Sequence, residues 1–168
     1  MRVITLLSLI VLSLASAAPA APPASSPEWT RVEGAPHDGC LATMYEVNIA
    51  PDFALLADSA DRRITWAVTA DARGLSVIAC SGSVVQTDLI SGRMTSDNVD
   101  LAFTFLGSVT RAALGPGADA RQQAQYSREL GALKGSLRRT LPILIRDAQR
   151  LHPGFLRKEP EMPRPPQF

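Results

Sequence analysis

Residues that commonly carry chemistry are scarce in this 168-residue chain: it has two histidines, two cysteines and two lysines, Lys134 and Lys158. His37 and His152 lie far apart and neither has a second ligand at useful spacing, so a four-donor zinc site is not indicated. No Gly-x-Ser-x-Gly elbow, phosphate-cradling glycine loop or dinucleotide fingerprint occurs. Asp97, Asn98 and Asp100 lack the glycine and distal glutamate of a calcium loop and read as a turn. The expectation is therefore no catalytic residue, no metal and no cofactor. Aromatic residues make up 5% of the chain. None interleaves with the arginines of the C-terminal region, which argues against a stacking surface for nucleic acid.

Long apolar runs are missing too, except at the start. After Met1-Arg2, the stretch Val3 to Leu14 is apolar with small Ser and Thr, and Ala15-Ser16-Ala17 supplies the small-x-small pattern of a signal peptidase site. The run is well short of the roughly 20 residues that span a bilayer. Residues 1–17 are thus expected to be a signal peptide, and cleavage would leave no integral membrane segment. The expected location is periplasmic or secreted. Residues 18–27, rich in Pro, Ala and Ser, read as a flexible spacer.

What remains suits one domain, 28–152. Its charge is unevenly placed. Glu28 to Gly117 carries a net of −5, and Ala118 to Phe168 a net of +5. The basic segment can dock on its own acidic neighbour or seek an external anion. The arginine excess over lysine, with abundant alanine, fits the codon bias of a GC-rich bacterial genome. Cys40 and Cys80 form an even pair, which in an oxidising compartment is most simply a disulfide. A reactive Cys40 near His37 is the sharper alternative.

Hydrophobic periodicity gives the elements. Leu41, Thr43, Tyr45, Val47 and Ile49 alternate as a first strand, and Pro51-Asp52 introduces a short helix over Phe53 to Asp58. Ile64 to Ala70 alternates as a strand with one wetter face. A turn at Asp71 to Gly74, a strand Leu75 to Cys80, a turn at Ser81-Gly82 and a strand Ser83 to Leu89 follow. Val99, Leu101, Phe103 and Phe105 alternate as another strand. The sum is an antiparallel sheet of about five strands with one apolar face.

Beyond Gly115-Pro116-Gly117 the period changes. Tyr126, Leu130, Leu133, Leu137, Leu141, Leu144, Ala148 and Leu151 recur every three or four residues, within an arc of about 80° on a helix starting near Asp119. Such a stripe would cover the sheet. Pro142 is expected to kink this helix or restart it. On the opposite side, Arg121, Arg128, Arg139, Arg146 and Arg150 share an arc of about 40° and form a candidate anion-binding ridge. Residues 153–168, with five prolines, read as a disordered tail.

The fold class expected is therefore α+β: an antiparallel sheet covered by one long amphipathic C-terminal helix. In element order, with Tyr45-Glu46-Val47-Asn48-Ile49-Ala50-Pro51 entering a short helix, the chain resembles the helix-grip, lipid-transfer-like folds. That resemblance implies an apolar cavity under the helix, with Tyr126, Leu130, Leu133, Leu137, Leu141 and Leu144 as its apolar lid. The function expected first is an exported, non-catalytic envelope protein binding an apolar small molecule or a protein partner. An adaptor attaching to anionic envelope surfaces through the arginine ridge is the alternative, and an uncharacterised hydrolase stands third.

Overall fold

In a computed structural model, residues 27–33, 42, 51–91 and 98–156 are described. Strands β1 (Thr30–Glu33), β2 (Phe53–Asp58), β3 (Ile64–Asp71), β4 (Gly74–Ser81) and β5 (Val84–Ser91) form one antiparallel sheet in chain order. Helices α1 (Asn98–Leu114) and α2 (Ala120–Leu151) complete an α+β fold. Short connections make the meander. Gly82, at φ +57°, adopts the left-handed backbone that the two-residue turn between β4 and β5 requires.

Two expected elements change type. Phe53 to Asp58 is a strand, in register with β3 from Phe53–Ala70 to Asp58–Thr65. Its Leu and Ala residues favour helix intrinsically, but Phe53, Leu55 and Ala57 point to the core and Ala54 and Leu56 to the opposite side, and sheet packing decides. Val99 to Phe105 is not a strand. It opens α1, whose buried residues Ala102, Leu106, Val109 and Ala113 step by four, three and four. That helical stripe runs past the short window in which the alternation shows. The β4–β5 and β3 expectations hold. β1 lies at the start of the expected domain, where no strand was read. Of the expected strand Leu41 to Ile49 only Ala42 is described, and its backbone is helical.

The sheet is therefore covered by two helices rather than one. α1 lies chiefly on β4 and β5, and α2 lies on β2, β3 and α1. Trp66, Val68, Leu75, Val77 and Ile90 meet Leu106, Leu133, Leu137, Leu141 and Leu144 in one core. Because element order now differs at two places, the helix-grip resemblance loses the elements that carried it. The expected single apolar face is also revised: Ala67, Ile78 and Cys80 form a second buried cluster on the side away from the helices. The folded unit continues to Leu156, four residues into the expected tail, since Phe155 joins the core at 2% exposure. The residues expected to form a signal peptide, those of the expected spacer as far as residue 26 and those of the expected tail from residue 157 lie outside the described residues.

Candidate functional site

The long helix α2 presents two different surfaces, and its start is well defined. Asp119 caps it: its carboxylate accepts from the Gln122 backbone N–H at 2.7 Å, and the Gln122 side chain accepts from the Asp119 N–H at 3.4 Å. This reciprocal capping box satisfies two of the backbone donors a helix leaves open. Before it, Gly115 at φ +70° ends α1, its N–H shared between the Arg111 and Ala112 carbonyls.

The inner surface is closed. Tyr126, Leu130, Leu133, Leu137, Leu141, Leu144 and Ala148 are all buried, as the stripe requires. Leu151, the last member of the expected stripe, is 56% exposed. The Trp29 indole N–H donates to the Leu133 carbonyl at 3.2 Å, tying the chain before β1 to the middle of α2. The six expected lid residues are therefore packed into the main core beside the sheet.

Near the N-terminal half of α2, the Tyr126 hydroxyl donates to Asp61 Oδ2 at 2.7 Å. The Ser59 hydroxyl and the Arg63 backbone N–H donate to the other carboxylate oxygen at 2.7 and 3.1 Å. Burial pushes the Tyr126 phenol up to about 12, and the bond to Asp61 adds to it. Burial alone would raise the Asp61 carboxyl, but the hydrogen bonds from Ser59, Tyr126 and Arg63 outweigh it and hold the group below its usual range. Glu129 accepts from the Ala60 N–H at 2.9 Å, so one turn of chain between β2 and β3 is gripped by two residues of α2. These hydrogen bonds tie the β2–β3 connection to α2, and their geometry is that of a clamp.

The C-terminal half of α2 is held by charge. Asp147, buried, accepts from both Arg31 and Arg150. The hydrogen bond from Arg31 is the main reason its carboxyl lies below the ordinary value, against the opposing effect of burial. Arg31 also lies over the Phe53 ring, 4.6 Å from its centroid. Asp100 of α1 binds Lys134 at 2.6 Å and Arg138 at 3.0 Å, joining the two helices. His152 sits 2.7 Å from Asp52. His37, Cys40 and Asp97 lie outside the described residues. Among the described residues no three of His, Cys, Asp and Glu group as metal ligands. Cys80 is buried on β4 and is not a free thiol.

The five arginines of the expected ridge lie on the outer surface of α2. Arg121, Arg128, Arg139, Arg146 and Arg150 are all exposed. Arg150, however, turns to Asp147 three residues earlier and is taken up there. Arg121, Arg128, Arg139 and Arg146 have no ion-pair partner among the described residues. They span about 38 Å of helix at 1.5 Å per residue. Ile143, 43% exposed, and Pro142 interrupt the line between Arg139 and Arg146 without adding a negative charge. Pro142 lies inside an uninterrupted helix. Pro142 is exposed, and its missing N–H removes one bond of the helix ladder.

Sequence reading missed Arg31, Asp61, Ser59 and Asp147 because their partners lie far away in the chain or their burial depends on packing. Arg138, next to the ridge by number, faces Asp100 instead. No helix among the described residues is long and apolar enough to cross a membrane. Comparison with protein-family models, with curated proteins and with solved structures finds no match.

Proposed function

We propose that the protein is an exported, non-catalytic envelope protein that binds an anionic partner through the outer face of α2. The observation that carries this reading is the exposed line of Arg121, Arg128, Arg139 and Arg146, none of which is ion-paired among the described residues. The basic C-terminal segment spends Lys134, Arg138 and Arg150 on the acids of its own domain, and directs these four outward. Guanidinium groups suit phosphate and carboxylate recognition through their forked donors. The signal-like N-terminus puts this surface in the periplasm or outside the cell, where a Cys40–Cys80 disulfide would be stable.

The test is binding of the purified mature protein to vesicles of anionic lipid and, separately, of zwitterionic lipid. Selective, salt-sensitive binding to the anionic vesicles supports the reading, and a basic residue near such a surface contributes about 1 kcal/mol. Equal binding to both lipids, or to neither, counts against it. Capture of an apolar small molecule would instead be insensitive to salt. It would also require the lid residues Tyr126, Leu130, Leu133, Leu137, Leu141 and Leu144 to part from a core in which each is at most 3% exposed.

A further inference from the structure

The two edges of the sheet are built differently. β1 is four residues long and carries Arg31 and Glu33, and shortness and charge are what keep an edge from pairing. β5 is eight residues long, Asp88 is its one charge, and it contains no Pro or Lys. Its register with β4 runs unbroken from Ser81–Val84 to Gly74–Ser91, so no bulge turns this edge away. Thr87, Asp88 and Leu89 are exposed in succession, which opens the strand on both faces. Half of the large apolar side chains exposed among the described residues, Val84 at 42% and Leu89 at 44%, belong to this strand.

The alternation of backbone bonds says which groups of β5 face outward. The two-residue turn at Gly82-Ser83 makes Ser81 and Val84 a hydrogen-bonded pair. Val84, Gln86, Asp88 and Ile90 therefore bond to β4, and the amides and carbonyls of Val85, Thr87 and Leu89 point away from the sheet. The Leu89 N–H agrees with this parity, since it donates to the Asp88 carboxylate of its own strand at 2.9 Å. The N–H groups of Val85 and Thr87 have no partner among the described residues.

We propose that two copies of this chain pair through β5, antiparallel, with Thr87 on the two-fold axis. The strand is complementary to itself in that register. Val85 lies opposite Leu89 of the second copy, and Val84 opposite Ile90 of the second copy, so both exposed apolar residues of β5 gain apolar neighbours on their own face. Asp88 lies opposite Gln86 of the second copy, whose side-chain amide donates to the carboxylate. The Leu89 N–H is thereby released to the Val85 carbonyl of the second copy, and Thr87 pairs with itself across the axis. Charge selects this register. Moving the axis to Asp88 sets two carboxylates face to face, and moving it to Gln86 sets Asp88 against Val84 and Leu89 against Ser83. The inference concerns the β5 edge, and stands whether or not the arginine face binds anions.

A contact through one strand is small for an interface, so the dimer is expected to form with rising concentration. Sedimentation equilibrium of the purified protein from about 1 μM to about 1 mM is expected to show a monomer passing into a dimer. Amide hydrogen exchange at the two ends of this range is expected to slow severalfold at Val85, Thr87 and Leu89, and to change little at Gln86 and Asp88, which already bond to β4. Thr87→Lys places like charges against each other at the axis and is expected to weaken association about tenfold or more. Ser127→Lys, which adds the same charge at an exposed position of α2, over β2 and β3, is expected to leave association unchanged. A chain that stays monomeric throughout, a dimer that Thr87→Lys leaves intact, or a dimer whose Val85, Thr87 and Leu89 amides exchange as in the monomer would overturn the proposal.

Discussion

Tyr126 shows how one side chain serves both core and clamp. Its ring packs edge-on against Trp66, 6.5 Å between centroids, while its hydroxyl reaches Asp61. A phenol whose folded value is raised from 10.0 to about 12 contributes stability that is fully present below pH 10 and is lost as pH rises toward 12. The loss amounts to about 3 kcal/mol at most. Alkaline unfolding followed by circular dichroism is therefore expected to flatten between these values in Tyr126→Phe, at the expense of lower stability at pH 7. Asp147 behaves oppositely. Its carboxyl is depressed by Arg31, so its contribution is present above about pH 4 and disappears as pH falls further. Asp147→Asn is expected to be less stable than wild type at pH 7 and to converge on it in acid, measured by urea unfolding at each pH. Neither role is legible from sequence. Asp61 stands 65 positions from Tyr126 and Asp147 stands 116 from Arg31, and only packing joins them.

Helix α2 was the element most legible in advance, because seven apolar residues at helical spacing over more than twenty positions admit only one periodicity. Short windows misled. Val99 to Phe105 alternates, but it is the beginning of a helix whose real stripe is Ala102, Leu106, Val109 and Ala113. Phe53 to Asp58 has helix-favouring residues and is held as a strand by two neighbours. Pro142 sits inside the helix on its exposed side, with Leu141 and Leu144 buried beneath. Restoring an N–H there with Pro142→Ala is expected to stabilise the protein by about 1–3 kcal/mol. By contrast, Leu137→Ala removes a fully buried side chain between α2 and the sheet and is expected to cost about 2–5 kcal/mol. Denaturant midpoints of the two variants should move in opposite directions. Equal shifts would mean that α2 does not pack as described.

The five-stranded meander with two helices on one side builds a shared core and, among the described residues, sets Arg121, Arg128, Arg139 and Arg146 on the outer face of α2. Both helices contribute to the cover, so cutting the chain at Gly117 strips β2 and β3 of α2 and is expected to unfold the remainder. Composition foretold the charge split, and helical spacing foretold the arginine line. Neither foretold that Arg150 and Arg138 are consumed within the fold, since that depends on where Asp147 and Asp100 come to rest. Replacing Arg121, Arg128, Arg139 and Arg146 by Gln leaves the core and every named ion pair intact, which makes the change a clean probe of the outer surface. The measurement is affinity for anionic vesicles as ionic strength rises from about 0.01 to 0.15 M, over which the screening length falls from about 30 to about 8 Å. Wild type is expected to bind at the low end and release steeply, and the four-Gln variant to bind weakly throughout. Equal affinities of the two proteins at low salt would contradict the arginine face as the working surface.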